Sequence, residues 1–161
     1  MSVSAKTGGY RAILERLYTW VDTALDDGGY FTYHISMDEN FSVSHVADMP
    51  LITISLGRAS VVHEVYDRKL PATGVMVIYP FSLYVYHYRN TASGENHNLS
   101  CTTAMDYIIN YFNGRDQNAT EQGTHNIINV MDMEGRESDP RWNKRLARMI
   151  VTGSLKVKRS D

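Results

Sequence analysis

From Tyr10 to Leu25 the apolar residues recur every three or four positions: Tyr10, Ile13, Leu14, Leu17, Val21, Ala24 and Leu25. Arg11, Glu15, Arg16, Thr19, Asp22 and Asp26 take the opposite side. This spacing predicts an amphipathic helix whose apolar stripe needs a sheet or a second helix to cover it. Tyr18 and Trp20 lie beside the stripe and widen it. Asp26-Asp27-Gly28-Gly29 predicts the helix end, with a glycine in the left-handed cap.

Further along the rhythm changes to two. Val75 to Asn90 reads VMVIYPFSLYVYHYRN. From Phe81 the odd positions are Phe81, Leu83, Val85 and His87; the even ones are Ser82, Tyr84, Tyr86 and Tyr88. Alternation of aromatic and β-branched residues predicts a strand. Both sides are largely apolar, which predicts a central strand covered on each face. Pro80 has no N–H to give to a ladder, which predicts a bend or bulge and two strand pieces.

The weaker signals fill in around these two. Residues 30–37 (YFTYHISM) predict a short strand and residues 38–48 a polar loop. Pro50 opens LITISLG, a strand closed by Gly57. Ser60 to Asp67 alternates again, and RKLPATG reads as the hairpin connection into Val75–Tyr79. After the polar TASGENHN, Ser100 predicts the N-cap of a second helix reaching Phe112. Its apolar face holds Cys101, Met105, Ile108 and Phe112. Residues 114–124 read as loop and residues 126–131 as a short strand. EGRESDPRWNK is a charged connection. Leu146 to Lys158 predicts the last strand. Val151, Leu155 and Val157 lie on one side of it, with Gly153 between them. Thr152, Ser154, Lys156 and Lys158 lie on the other. Two main helices and a mixed, mostly antiparallel sheet predict one two-layer α+β domain over residues 1–161, with a hairpin excursion at 58–80.

Composition narrows the setting. Hydrophobic residues make up 43% and charged residues 21%, which fits a globular fold and excludes intrinsic disorder. Cys101 is the single cysteine, so no intramolecular disulfide forms and a reducing compartment fits. MSVSAKTGGYRA lacks the apolar run of a signal peptide, and no stretch of about 18 apolar residues occurs, so no membrane partner is expected. The sequons at Asn40, Asn98 and Asn118 are then read as chance. Charge is unevenly placed. Residues 136–161 hold eight bases against three acids, a balance of +5. Residues 1–135 hold the other eight bases against fifteen acids, a balance of −7. Such a split suits head-to-tail self-association or a nearby polyanion. The plain alternative is a solvated basic face.

A search for reaction chemistry finds little. There is no GxxxxGK[ST] loop, no GxGxxG and no GxSxG. No two of His34, His45, His63, His87, His97 and His125 stand three to five residues apart. His63 and Glu64 fall on opposite faces of one strand, and His45 with Asp48 falls far short of a metal site. Cys101 near a helix start could carry a lowered pKa, but a buried structural thiol explains it more simply. Glu64, Asp67 and Lys69 have the wrong spacing for a nuclease triad. Tyr84, Tyr86 and Tyr88 could stack on bases, though core packing or subunit contact accounts for them more cheaply. No catalytic residue, cofactor or metal is expected.

The order of elements resembles the tail terminator and neck proteins of long-tailed bacteriophages. An amphipathic helix (Tyr10–Leu25) precedes a proline-led strand (MPLITISLG). A strongly alternating strand (FSLYVYHYRN), a polar break and a helix (SCTTAMDYIINYF) follow. The chain closes on an Arg-rich segment and strand (RWNKRLARMIVTGSLKVKR). The excursion from Gly57 to Gly74 and the long leader YFTYHISMDENFSVSHVAD depart from that pattern. The resemblance implies a structural virion protein of the tail or neck, assembled in the host cytoplasm. It implies a homo-oligomeric, six-fold ring that caps the tail tube protein and meets the head-side connector, with DNA passing through without specific binding. A ring needs a heterologous interface, and Trp and Arg are enriched at interface centres. Arg136, Arg141, Trp142, Lys144, Arg145 and Arg148 are therefore the expected contacts. A lumen that passes DNA avoids strong phosphate binding, so Asp38, Glu39 and Glu95 are expected to face it. Two other classes fit the same pattern. One is a ligand-binding or enzymatic α+β domain whose pocket converges on His63, His87 or Tyr86. The other is a nucleic-acid-binding module using the basic end and the tyrosines.

Overall fold

The computed structural model describes residues 7–37, 48–62, 74–88, 97–138 and 145–160. The helical stripe at the start forms α1 (Tyr10–Asp27), which buries Ile13, Leu17, Trp20, Val21, Ala24 and Leu25. Each large apolar side chain so buried is worth about 1.5–3 kcal/mol. The helix stops where its glycines allow. Gly29 takes φ +83°, its N–H donates to Asp26 O, and the N–H of Tyr30 donates to Leu25 O, each at 3.0 Å. This is the paired-bond left-handed cap expected of a glycine at that position.

The sheet has the order β1 (His34–Ser36), β2 (Leu51–Leu56), β4 (Gly74–Tyr88), β6 (Leu146–Ser160), β5 (Ile127–Glu137), with β3 (Ser60–Val61) also on β4. β1 pairs with β2 in parallel, and every other pairing is antiparallel. Helix α2 (His97–Phe112) packs beside α1 on the same side of the sheet, with a short α3 (Ala119–Gly123) near its end. The fold is therefore α+β with a mixed, mostly antiparallel sheet.

β4 is central, as its alternation predicts, but it is one continuous strand. Its 15 residues pair without interruption from Gly74↔Ser160 to Tyr88↔Leu146, a ladder about 50 Å long at ~3.4 Å per residue. Pro80 does not break it because its missing N–H falls in a gap between neighbours. The β2 register ends at Leu56↔Phe81 and the β3 register begins at Ser60↔Ile78. The Pro80 carbonyl still accepts from Gly57 N–H at 2.6 Å.

The two faces of β4 are buried in different ways, with Leu51, Tyr86 and Ile150 buried on the even side. Odd positions Val77, Tyr79, Phe81, Leu83 and Val85 join the large cluster that contains the residues of α1 and α2. The even face carries only a small cluster, Leu51 and Tyr86 with Met49 and Tyr84, to which no described helix contributes.

Three boundaries also shift. α2 begins at His97, so Ser100 lies inside it and is not its cap; nothing in residues 97–99 stops a helix. The expected loop at 114–124 holds a 3₁₀ turn (Arg115–Gln117) and α3. Asn118 Oδ1 caps α3 by accepting from Thr120 N–H at 3.0 Å. β5 runs on to Glu137, through residues read as a charged connection. It does so with two irregularities, an extra residue at Ile128 and a bulge between Met131 and Glu134 where Asp132 takes φ 57°.

Gly153 holds a space in the core. A Cβ there would sit 2.7 Å from Met133 Sδ and 2.7 Å from Phe81 Cζ. Gly153→Val is expected to destabilise the fold by about 1–3 kcal/mol through overpacking. The urea unfolding midpoint checks this; an unchanged midpoint would mean that Phe81 moves aside freely.

A candidate interaction surface on the second sheet face

The even positions of β4 share their face with the even positions of β6 and their partners on β2 and β5. Across it the rows read Arg148–Tyr86–Leu51, then Arg136–Ile150–Tyr84–Thr53, then Glu134–Thr152–Ser82–Ser55. Below these come Met131–Ser154–Pro80, Asn129–Lys156–Ile78 and Lys158–Met76. One end is therefore aromatic and aliphatic. The middle is a band of short hydroxyl side chains. The far end alternates lysines with Ile78 and Met76. Four bases (Arg136, Arg148, Lys156, Lys158) meet one acid (Glu134) on this face.

The tyrosine end is built in place. The Tyr84 and Tyr86 rings stack with centroids 6.4 Å apart. The Arg148 guanidinium lies 5.5 Å from the Tyr84 ring centre, and its Nε donates to Ser138 Oγ at 2.9 Å. Ser138 N–H in turn donates to the Arg148 carbonyl at 3.0 Å. A fixed, planar guanidinium over an aromatic face is rigid and loses little freedom on contact with a partner.

Of the residues expected at an interface, Arg136 and Arg148 come together on this face, and Arg145 is exposed just ahead of β6. Arg141, Trp142 and Lys144 lie outside the described residues. So do Asp38, Glu39 and Glu95, together with Glu64, Asp67, Lys69, His45 and His63. Lys156 and Lys158 are further basic members of the face, beyond those expected at an interface. Their alternation with Val157 already placed them opposite the core.

Cys101 is buried in α2, with Sγ 3.6 Å from the Ala147 carbonyl. His87 Nδ1 lies 3.0 Å from the Tyr88 carbonyl oxygen. Among the described residues no group of His, Cys, Asp or Glu is placed to hold a metal ion. No described helix is long and apolar enough to cross a membrane. A shallow cleft of about 250 Å³ opens between the start of α1 and the end of α3, lined by Thr7, Gly8, Ala12, Ile13, Thr124 and His125. Neither His87 nor Tyr86 lines it.

Beneath that cleft lies a buried polar cluster. Glu121 is only 2% exposed. Its Oε2 accepts from Arg16 Nε at 2.8 Å, and its Oε1 accepts from Trp20 Nε1 at 3.0 Å. A second bond joins Arg16 Nη2 to Oε1. Burial pushes the Glu121 carboxyl up, but the Arg16 hydrogen bond, the Trp20 hydrogen bond and the charges of Arg16 and His125 together hold it below its ordinary value. Burial, then the Arg16 charge, push His125 down, against a smaller upward pull from Glu121. Asn118 and Glu121 stand three residues apart as cap and third helical position, a signal that could have announced α3.

No protein-family model matches this chain, and no curated protein is significantly similar to it.

Proposed function

We propose that this chain is a structural assembly protein of the phage tail terminator kind. Copies join head to tail into a ring, expected to be six-fold, that caps the tail tube protein, faces the head-side connector and lets DNA pass. The observation that carries this reading is the even face of β4 and β6, where four bases meet one acid. It presents stacked tyrosines, a hydroxyl band and four bases on a rigid ladder. A two-fold pair through this face would set like charges against each other, which costs several kcal/mol. The face therefore needs a different surface on its neighbour, and a heterologous contact closes into a ring when its rotation allows. With the bases turned toward a neighbour, the bore keeps few of them for phosphate.

Light scattering on purified protein tests this. A closed ring gives one mass that survives dilution, near 110 kDa for six subunits of 18.3 kDa. An open stack gives a mass that grows with concentration. A strict monomer that binds and turns over a small molecule, or one that binds duplex DNA in a salt-dependent way, would overturn the reading.

A further inference from the structure

We infer that Asn113 is a site of spontaneous covalent modification, at which the folded protein loses a side-chain amide and gains aspartate or isoaspartate. The inference goes beyond the ring reading and does not depend on it. Asn113 is the only asparagine of the chain that a glycine follows. The reaction uses the backbone nitrogen of the next residue as nucleophile on the asparagine Cγ. A backbone N–H that donates to a carbonyl is held away from that attack. The hydrogen bonding of α2 ends one residue too early to do this: Asn113 N–H donates to Ile109 O at 2.9 Å. Among the described residues nothing accepts from the Gly114 N–H, and nothing bonds the Asn113 side chain. Both residues are exposed. Gly114 takes φ +91°, and a Cβ there would meet nothing within 4 Å. The approach to Asn113 Cγ is therefore uncrowded by any side chain at 114.

The step balances without an oxidant or reductant. Gly114 N gives its proton to water and forms a bond to Asn113 Cγ. The Cγ–Nδ2 bond breaks and ammonia leaves. The five-membered imide then takes up one water. Opening at Cγ gives aspartate. Opening at the main-chain carbonyl gives isoaspartate, with one extra methylene in the backbone. Either product adds a negative charge to a chain whose formal net charge is −2. The new carboxylate stands just past the C-terminal end of α2, where the helix dipole is already negative. Two neighbouring cases show what shields a site of this kind. Asp27-Gly28 could form the same imide by losing water. Its Gly28 N–H, however, donates to Ala24 O at 3.0 Å, and a Cβ on Gly28 would sit 3.0 Å from the Tyr107 ring. Asn118 is exposed like Asn113. Its Oδ1, however, accepts from the N–H groups of Thr120 and Glu121 at 3.0 and 3.4 Å, and Ala119 follows it.

The test holds the full chain folded in mildly alkaline buffer, then digests samples over time and places each mass change by fragmentation. Asn113 is expected to gain one mass unit along a single exponential, while ion exchange shows a more acidic species growing at the same rate. That rate is expected to lie within about tenfold of the rate in a synthetic peptide of residues 111–116. It is expected to exceed the rate at Asn118, whose side chain must first leave its cap, by about tenfold or more. Asn113→Gln keeps an exposed amide, but its ring would need six members, so the acidic species is expected to disappear. Low urea, below the unfolding transition, is expected to leave the rate unchanged. A rate that instead climbs with the unfolded fraction assigns the reaction to the unfolded chain and overturns the inference. So does a peptide that converts while Asn113 of the protein keeps its amide, because the fold then holds Gly114 N away from Cγ. Conversion at Asn118 as fast as at Asn113, or an acidic species that grows undiminished in Asn113→Gln, overturns it as well.

Discussion

Replacing Glu121 with alanine is expected to lower the unfolding free energy by about 3–5 kcal/mol, the cost of leaving one partner of a buried ion pair alone. Arg16 keeps its charge but loses both oxygens that it contacts, and its side chain is only 22% exposed. Trp20 Nε1 is left buried without its acceptor. α3 has five residues, far too few to persist as an isolated helix, so its seat depends on this anchor. Glu121→Gln keeps an acceptor for Trp20 and removes the charge. Its expected cost is about 1.5–3 kcal/mol, the range for a hydrogen bond to a charged partner. Urea unfolding checks both; an alanine variant within ~0.5 kcal/mol of wild type would mean that the cluster behaves as surface.

The same anchor sets an acid dependence with a definite sign. The Glu121 carboxyl is depressed below its ordinary 4.5 in the fold. Its contribution is fully present above 4.5 and fades as pH falls through the folded value. His125 is depressed below its ordinary 6.5, so the fold favours the neutral ring. Stability from this source is complete above 6.5 and declines as pH drops below it. Wild type should therefore weaken first in mild acid and again below the carboxylate range, and Glu121→Gln should lose the second step. A variant with the same acid profile as wild type would remove Glu121 as its source.

Trp20→Ala is expected to cost about 3–5 kcal/mol as well, for a different reason. Trp20 is fully buried, with its ring 5.0 Å from Phe112 at 77°. Phe112 in turn lies 5.7 Å from Phe81. This chain of rings ties α1 to α2 and both to β4, and its removal leaves a cavity where three elements meet. Trp20→Phe keeps most of the volume and should cost less. Because Trp20 also donates to Glu121, the two alanine changes share a partner and should not add. A double variant as unstable as the sum of the singles would show that the cavity and the hydrogen bond act independently.

What the chain spells out locally was readable. α1 follows from its stripe and its glycines, and β4 and β6 follow from strict alternation. Pro80 was misread because the rule concerns what a proline lacks, while the outcome depends on what stands beside it. Only the register shows that β2 has ended there. The second face of β4 reads as apolar, and the structure buries its Tyr86 with Leu51 and Ile150 there. Glu121 was beyond reach for a related reason. Its partner Arg16 is 105 positions away, and a carboxylate in a polar stretch reads as solvated until the fold closes over it. This face was half legible. Arg136 and Arg148 stand out by residue type, and the pairing puts them on one surface. Lys156 and Lys158 were visible as the polar side of a strand, but only the pairing sets them on one face with Arg136 and Arg148.

The irregular edge of the sheet carries a last consequence. β5 is a border strand, yet an extra residue at Ile128, a left-handed Asp132 and the charges of Glu134, Arg136 and Glu137 spoil it as a template for another strand. Sideways recruitment of backbone, the route to amyloid-like growth, is blocked along that border. In the proposed ring, neighbouring copies then adhere through side chains without their sheets fusing into a fibril.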